Sequence, residues 1–279
     1  MTYILQNADL VRKETAHLHI DDRGYYFGDG IYEVIRVYEG VPFAKEAHLN
    51  RLEESSAKID MTLPYSGQEL IDLLDKLIAA NELVNGLVYL QVTRGIEPRN
   101  HLYTKNCKPV LTAFTQPLPK KAAAPSAAVH VWLTDDIRWL RCDIKTINLL
   151  GNIIAKKEAA DQQCQEAIMQ RDGFITEGSS SNLFLVKDKV LYTHPATNLI
   201  LNGITRQVVI DLAKQNGYEV VEEPFPVDVL EHADEAFLTS TTMEIAAISQ
   251  IKGQLSTSYV PGPVTKDLQE KFRQLLPQK

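Results

Sequence analysis

Four stretches of the chain concentrate residue types able to do chemistry. In RWLRCDIKTINLLGN, 138–152, a single amine, Lys145, sits between apolar residues just ahead of a helix-like run. A lysine amine becomes a nucleophile when desolvation or neighbouring positive charge lowers its pKa, and it can then form a Schiff base with a carbonyl compound. Arg138 and Arg141 are close enough in sequence to supply such charge. A lysine ending a strand and reaching into water is the plainer alternative, so Lys145 alone decides nothing. In ITEGSSSNLF, 175–184, Glu177 precedes a glycine and the hydroxyls of Ser179, Ser180 and Ser181. That pattern suits a polar turn between strands, or an acid that keeps a facing ring nitrogen protonated.

The third stretch is LNGITRQVVIDLAK, 201–214, where Asn202-Gly203 makes a turn and Thr205 stands at the expected N-cap of a helix. Free amides and the helix dipole make such a terminus a seat for phosphate, although most helix starts share the feature. The hydroxyls of Thr239, Ser240, Thr241 and Thr242 can add donors to the same anion, or simply end a strand. In VTRGIEPRNH, 92–101, Pro98 sets a loop that carries Arg99 and His101 with one residue between them. Two such groups can grip a carboxylate, the arginine in bidentate fashion, or can be solvated.

Elements of both periods surround these stretches. Strand-like IYEVIRVYEGVPFA with a Glu39-Gly40 turn, GLVYLQVTRG and PVLTAFT accompany helix-like KEAHLNRLEESSAKI and SGQELIDLLDKLIAAN. Further on come AVHVWLT, helix-like NLLGNIIAKKEAADQQ, strands around EAIMQRDGFITE and NLFLVKDKVLYTHP, helix-like TRQVVIDLAKQNG, strands EAFLTS and EIAAISQI, and the terminal helix VTKDLQEKFRQLL. Without regular βαβ alternation or a dinucleotide-type glycine fingerprint, a mixed-sheet α+β fold is expected rather than a doubly wound one. The proline-rich QPLPKKAAAPSAA, 116–128, reads as an interdomain linker, giving a small domain 1–117, a linker 118–125 and a large domain 126–279.

Composition narrows the possible functions. With 29 basic and 36 acidic residues the net charge is −7, which repels nucleic acid and leaves anions to local sites. No run of about 18 apolar residues exists to span a membrane, and MTYILQNADLVRKE has its basic residues after its apolar stretch, unlike a secretory signal. Cys107, Cys142 and Cys164 are odd in number and widely spaced, which suits reduced thiols and a cytoplasmic location and offers no metal site. His17 and His19 in AHLHI alternate as on a strand face, without a third ligand nearby.

Jointly the chain resembles the fold-type IV pyridoxal phosphate enzymes and, within them, the D-amino acid aminotransferases. The resemblance rests on DRGYYFGDGIYEVIRVY at 22–38, HLNRL at 48–52, TRGIEPRNH at 93–101, DIRWLRCDIKTINLLGNIIAK at 136–156, TEGSSSNLF at 176–184, LNGITR at 201–206 and TSTT at 239–242. It implies a smaller N-terminal α/β sandwich domain and a larger C-terminal mixed-sheet pseudo-barrel that binds pyridoxal 5′-phosphate. It also implies that Lys145 holds the cofactor and moves the substrate α-proton, and that Glu177 pairs with the ring nitrogen. Arg51, Ile204, Thr205 and Thr241 would hold the phosphate, with Leu201 packed on the ring and Ser179, Ser180 and Ser181 nearby. Tyr32, Arg99 and His101 would bind the substrate carboxylate, the last two from a neighbouring subunit of a homodimer. The expected reaction is a ping-pong exchange between D-amino acids, D-alanine foremost, and 2-oxo acids such as 2-oxoglutarate. The L-branched-chain sister family shares the scaffold, but the PRNH loop points away from it, and an amine-selective transaminase would leave Arg99 and His101 idle.

Overall fold

The alternating run GIYEVIRVY forms a nine-residue strand that organises the N-terminal half of the protein. The computed structural model describes residues 2–119 and 127–277. In chain order the first part holds β1 (Tyr3–Gln6), β2 (Asp9–Arg12), α1 (Arg23–Phe27), β3 (Gly30–Tyr38), β4 (Val41–Pro42), α2 (Lys45–Lys58), α3 (Gly67–Ala80), β5 (Gly86–Thr93) and β6 (Val110–Pro117). The second part holds β7 (Val129–Asp135), α4 (Leu150–Asp161), β8 (Glu166–Arg171), β9 (Phe174–Gly178), β10 (Asn182–Lys187), β11 (Val190–Thr193), α5 (Ile204–Gln215), β12 (Val220–Glu222), β13 (Glu235–Ser240), β14 (Glu244–Gly253), β15 (Thr257–Ser258) and α6 (Pro263–Leu275). Two compact units result. One takes β1 to β6 together with the returning segment Ile144–Asn148, and the other takes β7 onward with Leu149–Leu276 as its main part. The expected linker, 118–125, falls largely on residues 120–126, outside the described residues.

Among the described residues, the first unit is built on a six-stranded sheet in the order β2-β1-β6-β5-β3-β4. All of its pairings are antiparallel. The β3–β4 hairpin closes through Glu39 (φ 49) and Gly40 (φ 81), the paired positive φ values of a tight turn that matches strand twist. α3 begins in a capping box between Ser66 and Glu69 and buries Leu70, Leu73, Leu74, Leu77 and Ile78, the spacing of one helix face. These side chains pack with Ile31, Ile35, Leu52, Leu90 and Leu111, and Ile144 from the returning segment joins the same core. α2 is different, because His48, Arg51 and Ser55 are buried beside Leu49 and Leu52. Its inward face is therefore partly polar and must be satisfied within the unit.

The second unit has a mixed sheet that curls into a half-barrel, as expected. Its described order is β12-β11-β10-β13-β14-β7-β8-β9, with β15 on β14. β7 runs parallel to both β14 and β8, whereas β10, β13 and β14 pair antiparallel. Val131, Leu133, Ile168, Leu183, Leu238 and Ile248 form its core. The mixed α+β architecture thus holds in both units. AHLHI does not form a strand, since residues 16–19 are irregular, so the His17 and His19 alternation presents no strand face. No group of three or more metal-ligating side chains occurs among the described residues.

Leu77 is wholly buried in the first core. Leu77→Ala is expected to lower stability by about 2–5 kcal/mol, read as a fall in the urea midpoint. An unchanged midpoint would show that α3 does not carry this core.

Candidate active site

Lys145 is held by its backbone. Its N–H donates to Ser55 Oγ of α2 at 3.2 Å, and its carbonyl accepts from the Tyr32 N–H of β3 at 3.0 Å. On either side, Ile144 is anchored in the core, Thr146 donates its hydroxyl to the Gly30 carbonyl at 3.1 Å, and the Ile147 N–H reaches the same carbonyl at 3.1 Å. The short segment is thereby laid along β3, with an isolated bridge between Ile31 and Thr146. The ammonium stands 4.1 Å from the Tyr32 ring centroid, and among the described residues it has no carboxylate or hydrogen-bond partner. The lysine is therefore fixed at its root and uncommitted at its tip. Tyr32 is itself stacked on Tyr89 (5.6 Å), and Tyr89 on Phe114 (5.0 Å). Alternation along β3 leaves Tyr32 and Val34 half-buried and turns Glu33 to the opposite, buried face.

Beneath this segment Glu33 is completely buried and accepts from Arg51 Nε at 2.7 Å, Arg51 Nη2 at 2.8 Å and His48 Nδ1 at 2.7 Å. Burial alone would raise the Glu33 carboxyl, but Arg51 and His48 outweigh it and hold it down at about 2. Burial pushes His48 below its ordinary value against the pull of Glu33, and the charges of Arg51 and Lys145 add to that push. The neutral ring can then donate from Nδ1. Arg51, expected on the phosphate, is thus oriented by a bidentate ion pair with Glu33.

The second unit gathers Glu177, Asn182, Leu201, Ile204 and Thr205. Glu177 is buried and pairs with Arg138 Nη1 at 2.5 Å. Its other oxygen accepts from the Leu201 N–H at 3.1 Å and Asn182 Nδ2 at 3.0 Å. Burial pushes this carboxyl above its ordinary value, and Arg138 and the Leu201 amide act against that rise. Arg138 also donates to Asp136 from Nε at 2.9 Å and Nη2 at 2.8 Å. Against the effect of burial, these bonds and Thr176 hold Asp136 at about 2. Arg138 and Arg141 are therefore spent on carboxylates of their own unit, the latter on Asp143 at 3.0 Å. The sequence offered them as charges near Lys145; the partners they have in the structure are these carboxylates.

α5 starts two residues earlier than expected: Gly203 is its N-cap, no side chain caps it, and Thr205 is the second helical residue. A side chain at Gly203 would run into Asn182. By contrast, Glu235 accepts from the first amides of α6, Val264 at 3.0 Å and Thr265 at 2.8 Å. The buried hydroxyls of Ser181 and Thr239 have no partner among the described residues. Ser179 and Ser180 donate instead to the buried Glu166, Ser180 at 2.8 Å. Thr241 is half-buried in the β13–β14 turn. An uncapped helix start, unpartnered hydroxyls and a buried acid form a donor set that fits a phosphate and a protonated heterocyclic nitrogen.

Arg99 and His101 are exposed and both pack on Phe27, at 5.2 Å and 5.4 Å. Sequence reasoning missed Ser55, His48, Glu33 and Asn182, and it gave Arg138 a different partner. For the α2 residues, a signal was available in the polar positions 48, 51 and 55, spaced to share one helix face.

The sequence profile of the family Amino-transferase class IV matches residues 30–251, and the chain belongs to that family. It is 48% identical over 272 residues to a D-alanine aminotransferase of Listeria monocytogenes serotype 1/2a (strain 10403S), covering 96% of this chain and 94% of that protein. It is 43% identical over 277 residues to a D-alanine aminotransferase of Staphylococcus epidermidis (strain ATCC 12228 / FDA PCI 1200), covering 99% and 98%. Its fold superposes on the branched-chain amino acid aminotransferase of Escherichia coli with a TM-score of 0.89 at 29% identity, over 98% of this chain and 94% of that one. A second branched-chain amino acid aminotransferase, solved with pyridoxamine 5′-phosphate, gives 0.89 at 26%, over 98% and 93%. The protein is an aminotransferase, and its cofactor is pyridoxal 5′-phosphate.

Because the folded Glu33 carboxyl is depressed from 4.5 to about 2, its contribution is full above about 4.5 and is lost as pH falls toward 2. It amounts to roughly 3 kcal/mol. Urea midpoints measured between about pH 5 and 2 should fall more steeply for the native protein than for Glu33→Gln. Parallel curves would contradict the assignment.

Proposed function

We propose that the chain moves the amino group of D-alanine to 2-oxoglutarate in a ping-pong exchange, giving pyruvate and D-glutamate. The observation that carries this reading is the Lys145 amine, clamped through its backbone and left without an acid partner among the described residues. The likeness to D-alanine aminotransferases supports the choice of substrate. When bound, pyridoxal phosphate supplies an aldehyde that takes up the amino group and a ring that accepts electrons as the Cα–H bond breaks.

The chain's own residues divide the remaining work. Lys145 Nζ would hold the cofactor through its aldehyde carbon and, once displaced by substrate, would carry the proton from the substrate α-carbon to that same carbon. Glu177 would accept a hydrogen bond from the ring nitrogen and so favour its protonated form. The Ile204 and Thr205 amides, with Thr241 and Arg51, would hold the phosphate. Leu201 would pack on the ring, with Ser180 and Ser181 near the cofactor. Tyr32, Arg99 and His101 hold the substrate carboxylate. One lysine delivers the proton to one face, so the side on which the carboxylate is held sets the handedness of the product, and the PRNH grip suits the D-isomer.

A homodimer completes the reading, with Arg99 and His101 serving the neighbouring subunit. Large exposed apolar side chains in both units support it, among them Leu18, Tyr25 and Leu102 (77% exposed) in the first and Trp139, Leu150 (70%) and Ile153 in the second. No helix among the described residues is long and apolar enough to cross a membrane. Three free cysteines suit a reducing, cytoplasmic setting.

The purified protein should absorb near ~420 nm. D-alanine should shift that band while L-alanine and L-leucine leave it unchanged. A shift with L-leucine alone would overturn the substrate assignment. Lys145→Ala should lose both the band and transamination, whereas a fully active variant would remove Lys145 from the chemistry.

A further inference from the structure

Three positively charged or ionisable groups converge on one phenyl ring. The Phe27 ring lies 4.9 Å from the Arg23 guanidinium carbon, 5.2 Å from that of Arg99 and 5.4 Å from the His101 ring. Arg99 and His101 are exposed, but Arg23 is buried. Arg23 donates from Nη1 to the Asn100 carbonyl at 2.6 Å and from Nη2 to the His101 carbonyl at 3.4 Å, while its Nε is anchored on Asp29 at 2.9 Å. Asp29 is fixed in turn by Arg94 Nε at 2.8 Å, and Arg94 reaches the carbonyls of Ile59 and Asp60 at 2.8 Å and 3.1 Å. A buried guanidinium thus grips the backbone of residues 100 and 101 from below, and an aromatic ring braces the side chains of residues 99 and 101.

We infer that Arg23 and Phe27 are positioning residues that fix Arg99 and His101 for the substrate carboxylate. The inference rests on the proposed role of that pair. Neither Arg23 nor Phe27 needs to touch substrate. Arg23 holds the loop through two main-chain carbonyls, which lysine cannot replace because it lacks the planar fork. Phe27 limits the rotamers of Arg99, whose guanidinium lies over its face, and of His101, whose ring meets it at a 43° tilt. Freeing the loop costs ordering when substrate binds, so the effect falls on ground-state and transition-state binding alike and raises KM without lowering kcat. Both half-reactions use a carboxylate substrate, so both must respond.

The test uses the cofactor-loaded enzyme and the variants Arg23→Lys and Phe27→Leu, with Arg99→Ala as reference. Each positioning variant should raise KM for D-alanine and for 2-oxoglutarate about tenfold while kcat stays within about twofold. The visible band should be unchanged and amide exchange across residues 98–104 faster. Phe27→Tyr, which keeps the ring, should restore native KM. If Arg99→Ala raises KM but both positioning variants match the native enzyme, the inference is wrong and the carboxylate reading stands. If Arg99→Ala leaves KM unchanged, the carboxylate reading itself has failed. A kcat loss with an altered visible band, or a KM rise without faster exchange, in whichever variant folds, also overturns the positioning role.

Discussion

The proposed chemistry depends on keeping one amine free while the groups around it are bound. A lysine on a surface loop samples many rotamers and is neutralised by whatever acid it meets. Here the backbone of Lys145 is tied to α2 through Ser55 and to β3 through Tyr32, while Ile144 sits in the hydrophobic core. Its ammonium meets the face of Tyr32, which is attractive to a cation but cannot accept its proton. The acid of the same strand, Glu33, faces the other side of β3 and is fully engaged by Arg51 and His48. Period-two alternation along a single strand therefore separates the lysine from that buried carboxylate.

The same logic recurs in the second unit. Buried charges are tolerated only when paired and hydrogen-bonded. Asp136, Arg138 and Glu177 meet that condition as a chain of ion pairs that leaves no partner to chance. Their mutual engagement fixes Glu177 between Arg138, Asn182 and Leu201, so the role proposed for it would need little reorganisation. The open start of α5 is the complementary device: Gly203 allows close packing on Asn182 while leaving the first amides of the helix uncapped.

Much of this is legible in the sequence, and the limits have physical causes. Long periodic runs such as GIYEVIRVY and GQELIDLLDKLIAA become a strand and a helix because burial of one face enforces their period. Lys145, Glu177 and the helix start after Asn202-Gly203 stand out by residue type and spacing, whereas Arg51 and Tyr32 enter only through the resemblance to the family. Short pieces such as β1, β2, α1 and β12 carry too few residues to show a period. The hydroxyl of Thr205 marks it as an N-cap by residue type, yet the backbone of Gly203 takes that position. Proximity in sequence points Arg138 at Lys145, yet Asp136 and Glu177 claim it, and such partners are set by tertiary pairing that spacing does not reveal.

The central claim is that one lysine among those in the chain carries the cofactor. Reducing the yellow protein with borohydride, digesting it and sequencing the labelled peptide by mass spectrometry tests that most directly. The account predicts a phosphopyridoxyl group on Lys145 alone. A label on any other lysine, or none in a protein that still transaminates, would contradict it.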